Sequence, residues 1–376
     1  MRIHQQEEKD PALLELTRAE FRKLEEGDSE SLALWKRFSD LSKREFEKIY
    51  DILGTEFESD AGESFYIGRI PQTEKILKDA SLLMGSRDAT IVDLEKFGMP
   101  PMLVRKSDDT TLYATRDLAA AIYRKQEYDF HEMVYVVGVA QSLYFQQLFK
   151  VLELMGFSWA ANCHHVSFGW VKLGDEMMST RRGNIIFLDD VISKTVEKTK
   201  KIIEENSPGL PDPDKVAFDV GIGAVIFTDL SCRRETDIAF DWDRMLDFKG
   251  HSGPYLQYSH ARICSVLRKY GKELPSGCDA RLLQLPEEYA LAKMLALYPD
   301  IIEKAAKEFE PYHISSFLLE LCGIFNTYYQ RYRSPEDRIL SSDGNTTRSR
   351  LALTKCIRIV LRSGLKLLGL SAPEMM

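Results

Sequence analysis

Between residue 64 and about residue 210, short apolar strands alternate with helices, and this alternation restricts the possible folds more than any other feature. The run MVYVVGV at 133–139 is β-branched, as buried strands are, and the helical pattern SLYFQQLFKVLELMGF follows it. The helix-forming run DLAAAIYRK precedes this strand, and a further strand, HHVSFGWVKL, follows the second helix. Such an order predicts a parallel sheet of the doubly wound α/β type.

Helical segments flank this predicted α/β region on both sides. Residues 7–53 carry apolar side chains at helical spacing, with a turn at Gly27–Asp28 and a stop signal at Gly54. The Pro-rich stretch at 206–214 interrupts the chain, and from residue 256 onward the pattern is almost entirely helical. We therefore expect a partial doubly wound α/β region over 1–210, a connecting region over 211–255 and an all-α bundle over 256–376.

The helical tail differs in charge from the rest of the chain. The formal net charge of the whole chain is −8, yet residues 256–376 contain 17 Lys+Arg against 13 Asp+Glu. No acidic residue interrupts the last basic run, which comprises Arg348, Arg350, Lys355, Arg358, Arg362 and Lys366. This asymmetry indicates a face for a polyanion, although a basic helix face that is merely solvated has the same pattern.

The composition also limits where the chain can work. No apolar run approaches the ~18 residues that a membrane-spanning helix needs. The acidic start, MRIHQQEEKD, lacks the apolar segment of a secretory signal. Six cysteines without a CxxC pair predict reduced thiols and no metal site. Reduced thiols indicate a cytoplasmic location, and an organellar location is the alternative.

The run YATRD, residues 113–117, is the first candidate site. Tyr113 and Asp117 are four residues apart at the start of a predicted helix, so their side chains can share one face. A carboxylate there can accept a guanidinium through two hydrogen bonds, and a phenol hydroxyl can orient it. Gln141 follows the strand at 133–139 and opens onto the same edge. The alternative is that Asp117 caps the helix DLAAAIYRK.

A second candidate site is the segment EMMSTRRGN at 176–184. Its hydroxyls and arginines suit a triphosphate whose charge develops on pyrophosphate, although a solvated basic loop has a similar composition. The preceding strand ends in an aromatic residue and a glycine, where an adenine could stack. The candidate nucleotide-binding residues are His165, Phe168, Gly169, Met178, Ser179, Arg181 and Arg182. Core packing is the alternative for the strand residues.

The third candidate site, GHSGPYLQYSHAR at 250–262, interleaves aromatic and basic residues. Tyr255 and Tyr258 are three apart on one helical face and lie next to His260 and Arg262. Aromatic rings can stack on unpaired bases while cations bind phosphate, which suits a single-stranded nucleic acid. Buried core tyrosines are the alternative interpretation.

Taken together, these strings resemble the arginyl-tRNA synthetase family of class I. The resemblance rests on YATRDLA, VGVAQSLYFQQLF, HHVSFG, MSTRRGN, DWDRMLDFKGHSGPYLQYSHAR and GLKLLGLSAPEMM, which follow that family's order over nearly the whole chain. It implies a Rossmann-like catalytic domain followed by a DALR-type anticodon-binding bundle. It also implies ATP with Mg²⁺, L-arginine and tRNA as substrates, without a tightly bound cofactor.

The resemblance assigns roles to individual positions. Tyr113, Asp117 and Gln141 match the family's arginine-binding positions. The segment at 176–184 matches its KMSKS loop, with Met177 and Thr180 in place of the usual lysines. The tRNA-binding positions that the resemblance implies are Tyr255, Tyr258, Tyr332 and Met376.

One family signature is absent from the sequence. No HIGH-like string occurs, and the first strands of the family's sheet have no counterpart, so the chain resembles the C-terminal half to two-thirds of the enzyme. We therefore expect an exposed sheet edge and a large exposed apolar face. Either the sequence is a fragment of a longer gene product, or the missing N-terminal half is carried on another chain. The function predicted is ATP-dependent ligation of arginine to tRNA through arginyl-adenylate. A non-catalytic tRNA-binding module is the alternative, and a nucleotidyltransferase with the same sheet is disfavoured by YATRD.

Overall fold

The computed structural model describes residues 11–86, 89–106, 113–173, 176–177, 187–275, 277 and 279–376. They form two compact units. The sheet unit is Phe57–Trp170, and the helical unit is Met1–Glu56 together with Val171–Met376. Among the described residues, no helix is both long enough and apolar enough to cross a membrane.

Two helices at the start of the helical unit confirm the predicted hairpin. Helix α1 spans Pro11–Glu25 and α2 spans Ser29–Leu53. Asp28 caps α2 by accepting a hydrogen bond from the backbone N–H of Ser31 at 2.8 Å. Gly54 ends α2 in the left-handed conformation (φ 66°), which only glycine adopts without strain. Residues 7–10 of the predicted segment lie outside the described residues.

The first part of the sheet unit is antiparallel, where strand–helix alternation predicts a parallel sheet. Helix α3 (Ile70–Asp79) is followed by strands β1 (Leu83–Ser86), β2 (Ala89–Val92) and β3 (Met102–Lys106), which pair in that order. The connections between these strands are shorter than the dozen residues that a parallel crossover requires, so the strands pair antiparallel.

The second part of the sheet unit confirms the predicted parallel arrangement. It consists of α4 (Tyr113–Tyr128), β4 (Met133–Gly138), α5 (Ser142–Leu154) and β5 (Cys163–Phe168). Strands β4 and β5 pair in parallel from Met133↔Cys163 to Gly138↔Phe168. The prediction of a single strand for HHVSFGWVKL is wrong, because β5 ends at Phe168 and a separate strand β6 (Val171–Leu173) begins in the other unit.

The two faces of the β4–β5 sheet are covered unequally. On one face, α5 packs its buried Phe145 and Leu148 into the core that contains Met133 and Cys163. On the other face of β4, Val134 and Val136 are 41% and 66% exposed. A strand of a doubly wound sheet is normally covered on both faces. The described residues therefore leave an apolar sheet face open.

The helical unit carries a small sheet beside helices. Strand β6 pairs antiparallel with β7 (Glu176–Met177) and parallel with β8 (Ile238–Ala239). Helices α6 (Leu188–Asn206), α7 (Pro213–Leu230) and α8 (Trp242–Met245) belong to the same part of the chain. The Pro-rich stretch at 206–214 forms the connection between α6 and α7, as its composition predicts.

The rest of the helical unit confirms the predicted all-α bundle. It consists of α9 (Gly253–Lys269), α10 (Pro286–Glu308), α11 (Tyr312–Arg331) and α12 (Gly344–Leu367). Each of these helices contributes fully buried side chains to one apolar core, among them Leu256, Leu291, Leu318 and Leu351. At the start of α9, a Cβ on Gly253 would lie 2.6 Å from the carbonyl oxygen of Gly223, so α7 and α9 touch through their backbones.

Candidate amino-acid and nucleic-acid sites

Asp117 lies inside a helix. Helix α4 already begins at Tyr113, which places Asp117 one turn beyond the helix start. Its carboxylate therefore cannot fill the N-cap position, and the capping interpretation is wrong. The hydroxyl of Thr115 donates to the carbonyl oxygen of Val104 at 2.6 Å and ties the first turn of α4 to β3. Tyr113 and Asp117 consequently share one face of an anchored helical turn.

Tyr144, in the first turn of α5, connects the candidate arginine-binding residues. Its hydroxyl donates a hydrogen bond to Oδ2 of Asp117. Its ring contacts the ring of Tyr113 edge-on, with centroids 5.0 Å apart, and Tyr113 itself is 56% exposed. Gln141 is exposed and ends the 3₁₀ turn that leads directly into α5. Tyr144 thus contacts two of the three candidate residues, and Gln141 lies three positions before it in the chain.

The electrostatic surroundings of Asp117 disfavour its charged form. Burial raises the pKa of this carboxyl, the hydrogen bond from Tyr144 opposes that rise, and the nearby charge of Glu63 adds to it. Arg116 forms an ion pair with Glu63 at 3.2 Å, and Arg124 lies over the rings of two tyrosines. Within the described part of the chain, no lysine or arginine forms an ion pair with Asp117.

A partly desolvated carboxylate without an ion-pair partner can bind a cation from solution. A guanidinium matches a carboxylate best because its planar N–H groups form two parallel hydrogen bonds. The exposed ring of Tyr113 beside this carboxylate also offers a surface on which a guanidinium can stack. The geometry therefore suits a ligand that carries a guanidinium group.

The candidate nucleotide-binding residues of β5 have different surroundings. His165 is half-buried, its Nε2 lies 2.9 Å from the carbonyl oxygen of Val137, and its ring stacks on Phe145 at 4.5 Å. Phe168 is 46% exposed at the end of β5, where Gly169 follows. His165 thus packs in the core, while Phe168 and Gly169 lie at an open strand end. Met178, Ser179, Arg181 and Arg182 lie outside the described residues.

The aromatic and basic residues of the helical bundle form one connected cluster. Tyr258 is 37% exposed, and the guanidinium of Arg262 lies over its ring at 4.8 Å and over the ring of Tyr329 at 5.4 Å. Arg262 also donates to Oδ1 of Asn326 at 2.5 Å, and Asn326 donates to the hydroxyl of half-buried Tyr255 at 3.0 Å. The bundle therefore holds Tyr255 and Tyr258 through one arginine–asparagine pair.

Tyr332 borders a neighbouring cavity of about 530 Å³. Its hydroxyl donates to Oε2 of Glu287 at 2.7 Å. The cavity also contains Tyr329, which joins it to the cluster around Arg262. Basic side chains that line it are Lys269, Arg333 and Arg338. Rings beside cations in an open cavity suit a nucleotide base with its phosphate. Met376, the remaining candidate, is half-buried at the end of the chain.

Some functional candidates were not indicated by the sequence pattern. Tyr144 lies 27 residues from Asp117, so only the packing of α4 against α5 brings them together. Tyr329 could have been suspected from its place in the aromatic run YYQRY. One expectation is wrong: Arg350 of the basic run is 4% exposed and pairs with buried Glu288 at 2.6 Å, so it cannot contact a polyanion.

Comparison with protein families identifies both parts of the chain. Residues 1–242 match the catalytic domain of the class I (R) tRNA synthetases. The chain belongs to this family. Residues 256–376 match the DALR anticodon binding domain, which agrees with the all-α bundle found there. The resemblance derived from the short sequence motifs is thereby confirmed.

Individual relatives of this synthetase family agree with the assignment. The chain is 44% identical over 376 residues to an arginine–tRNA ligase of Halothermothrix orenii and 45% identical over 377 residues to one of Clostridium botulinum. All of this chain is matched in both comparisons, but it spans only 66% of the length of either relative.

Solved structures show the same likeness at lower sequence identity. Thermus thermophilus arginyl-tRNA synthetase superimposes with a TM-score of 0.81 at 25% identity, over 100% of this chain and 68% of that one. The enzyme from Plasmodium falciparum gives 0.80 at 25% identity, over 97% of this chain and 62% of that one.

Proposed function

We propose that this chain is the arginine- and tRNA-binding part of an arginine–tRNA ligase, which attaches L-arginine to its tRNA through arginyl-adenylate. The observation that carries the proposal is Asp117, a partly desolvated carboxylate whose hydrogen bond comes from a neutral phenol and not from a cation. Arginine is the amino acid whose side chain such a carboxylate binds best. Membership of the class I (R) family supports the same substrate.

In the proposed reaction, Asp117 binds the guanidinium group, while Tyr113 and Gln141 orient the amino acid. The α-carboxylate oxygen of arginine attacks the α-phosphorus of ATP, a P–O bond forms, and pyrophosphate leaves with its electron pair. A terminal ribose hydroxyl of the tRNA then attacks the carbonyl carbon of arginyl-adenylate, and AMP leaves. Holding the reactants next to one another in the correct orientation converts bimolecular steps into effectively unimolecular ones.

ATP with Mg²⁺ is the proposed energy source. The segment at 176–184, with Met178, Ser179, Arg181 and Arg182, is proposed to stabilise the charge that develops on pyrophosphate. Phe168 and Gly169, at the end of β5, are proposed to take the adenine, since an exposed ring at a strand end can stack on a base. His165 supports this site by packing against Phe145.

The proposed tRNA surface is the connected aromatic and basic cluster of the helical bundle. Tyr258 and Arg262 offer a stacking ring and a cation, and Tyr255 fixes the arginine through Asn326. Tyr332 extends this surface along the neighbouring cavity, and Met376 is proposed to complete it. The match of residues 256–376 to the DALR anticodon binding domain supports an anticodon loop as the occupant.

A further polypeptide is proposed to complete the catalytic centre. Val134 and Val136 leave one face of β4 open among the described residues, and an apolar face of this kind favours another structural layer. We assign that layer to the family's N-terminal half, either on another chain or in a longer polypeptide of which this chain is a part, and the whole assembly to the cytoplasm. The proposed division of this chain is catalytic over 1–210, connecting over 211–255 and tRNA-binding over 256–376.

Arginylation in the presence of tRNA tests the proposed function. The chain is incubated with labelled arginine, ATP, Mg²⁺ and tRNA, alone and together with a separately produced polypeptide. That polypeptide is the third of the Halothermothrix orenii ligase that this chain does not match. The tRNA is present from the start, because in most of the family that this chain resembles adenylate forms only once tRNA is bound.

Charged tRNA, dependent on ATP and abolished in Asp117→Asn, is the expected result when both polypeptides are present. Binding of tRNA without charging under either condition would contradict the ligase proposal. It would leave the alternative, a non-catalytic tRNA-binding module based on residues 256–376.

A further inference from the structure

Tyr144 occupies a central position in the proposed arginine site. It lies in the first turn of α5, three residues after Gln141. Its hydroxyl donates to Oδ2 of Asp117, and its ring contacts that of Tyr113 with centroids 5.0 Å apart. One side chain therefore touches two of the three candidate arginine-binding residues and is carried by the same short segment as the third.

We propose that Tyr144 is a positioning residue that holds the Asp117 carboxylate in its ionised form and in the orientation that receives a guanidinium. This inference rests on the proposed function and adds a residue to its amino-acid site. Asp117 is the group that touches the ligand, and Tyr144 acts through Asp117.

The hydrogen-bonding capacity of the carboxylate allows both partners at once. Each oxygen of an ionised carboxylate can accept two hydrogen bonds. Tyr144 occupies one of the two positions on Oδ2, which leaves the second position on Oδ2 and both positions on Oδ1. A guanidinium needs one position on each oxygen for its two parallel hydrogen bonds. The phenol thus fixes the rotation of the carboxylate and leaves both oxygens available.

The packing of Tyr144 makes its hydroxyl a fixed donor. Its ring is half-buried between Tyr113 and Phe145, with centroid distances of 5.0 Å and 5.4 Å. Burial, followed by the charge of Asp117, raises the pKa of the Tyr144 hydroxyl above its ordinary value, so the phenol keeps its proton at neutral pH. A proton that cannot be lost to solvent remains available for donation to the carboxylate.

The other groups near Asp117 act on it less directly. On α4, Arg116 and Arg124 favour its ionised form, and Glu63, in the 3₁₀ helix Glu63–Arg69 that precedes α3, disfavours it. On β4, the phenol of Tyr135 interacts electrostatically with the same carboxyl. Both arginines are engaged elsewhere, Arg116 with Glu63 and Arg124 over tyrosine rings. The direct donor to Asp117 among the described residues is Tyr144.

Removing the hydroxyl has a consequence that depends on pH. The hydrogen bond from Tyr144 lowers the pKa of Asp117, which burial raises. Without this hydrogen bond the carboxyl takes up a proton at a higher pH, and a neutral carboxyl no longer attracts a guanidinium. The loss of arginine binding in acid should therefore begin at a higher pH. Discrimination against citrulline, which is similar in shape but uncharged, should also decrease.

Calorimetric titration of the full chain with L-arginine and with citrulline between pH 5 and pH 8 tests the proposal. The variants are Tyr144→Phe, which keeps the ring contacts, and Tyr128→Phe, which removes a hydroxyl from an exposed tyrosine at the end of α4. We expect arginine to bind about tenfold more weakly to Tyr144→Phe at pH 7. In Tyr144→Phe, the loss of arginine binding in acid should begin at a higher pH, and the preference for arginine over citrulline should shrink. Tyr128→Phe should bind arginine as the unsubstituted chain does.

The outcomes separate this inference from the proposed function. Arginine affinity and pH profile in Tyr144→Phe equal to those of the unsubstituted chain would overturn the role of Tyr144 and leave the proposed function intact. A uniform loss of affinity at every pH, with citrulline discrimination unchanged, would show a merely structural role and would also overturn it. If the unsubstituted chain binds no arginine, the proposed function fails and the assignment of Tyr144 fails with it.

Discussion

Two carboxylates in this molecule, one fully buried and one half-buried, have opposite surroundings. Glu288, in the helical bundle, is 0% exposed and receives Arg350 at 2.6 Å and the hydroxyl of Tyr328 at 2.8 Å on one oxygen. Its other oxygen accepts the backbone N–H of Leu285 at 3.0 Å. Asp117, in the sheet unit, receives a hydrogen bond from the neutral phenol of Tyr144 and has no cationic partner among the described residues.

The difference separates a structural carboxylate from one that we propose binds a ligand. Glu288 joins three helices, because Tyr328 comes from α11 and Arg350 from α12, and no hydrogen-bonding capacity faces solvent. Asp117 is held in place but has no direct ion pair among the described residues, an arrangement that costs stability and is typical of a site where a ligand supplies the charge. A carboxylate with a buried cationic partner indicates packing, whereas a partly desolvated carboxylate without an ion pair suggests a site.

Removing the cation beside Glu288 should have the largest effect on stability. Arg350→Met leaves a buried carboxylate without its partner, so the free energy of unfolding should fall by about 3–5 kcal/mol in urea titrations. The matched control is Arg348→Met, an exposed position on the same helix, where a change within about 0.5 kcal/mol is expected. Equal effects of the two substitutions would mean that the Glu288 pair does not stabilise the bundle.

Removing the tyrosine hydroxyl that donates to each carboxylate should lower the free energy of unfolding by unequal amounts. Tyr328→Phe withdraws a donor from a fully buried oxygen and should lower the free energy of unfolding by about 1–3 kcal/mol. Tyr144→Phe should cost less than about 1 kcal/mol, because half-buried Asp117 can be solvated or take up a proton instead. Chemical denaturation of both variants at pH 7 measures the difference, and a greater loss in Tyr144→Phe would reverse the comparison.

Asp117→Asn should give the smallest stability change, and its sign should depend on pH. Burial raises the pKa of Asp117 in the folded chain, so the ionised carboxyl opposes folding at neutral pH. That penalty grows as pH rises from the ordinary pKa of the unfolded chain to the raised folded value. Thermal unfolding should therefore show Asp117→Asn at least as stable as the unsubstituted chain at pH 7, with this advantage lost near pH 3. Marked destabilisation of Asp117→Asn at pH 7 would contradict a raised pKa of Asp117 in the folded chain.

The sequence predicts the helical parts of this fold well, because their signals are local. Gly54 and the turn at Gly27–Asp28 were predicted as helix boundaries and function as such. The antiparallel pairing of β1–β3 was not predicted, since it depends on connection length and on contacts between strands. The run DLAAAIYRK predicts a helix that starts at Asp117, whereas α4 already begins at Tyr113, and that difference makes Asp117 resemble a cap in the sequence.

The candidate sites were predictable only in part, for the same physical reason. Residue type and spacing indicate Tyr113, Asp117 and Gln141, and packing places the first two against Tyr144. The same criteria could not show that Arg350 of the basic run is buried against Glu288, because that contact joins residues 62 positions apart. A run of charged residues shows which charges the sequence contains, whereas the packing of helices decides the partner of each charge.

Calorimetric titration of the chain with L-arginine at pH 7 tests the central claim, that Asp117 binds a guanidinium, most directly. The unsubstituted chain should bind arginine saturably, and Asp117→Asn should bind it at least ~100-fold more weakly, because the guanidinium loses its countercharge, a loss of about 3 kcal/mol. Asp79→Asn, at an exposed position at the end of α3, is the matched control and should leave the affinity unchanged. Equal arginine affinity in Asp117→Asn and the unsubstituted chain would contradict the account.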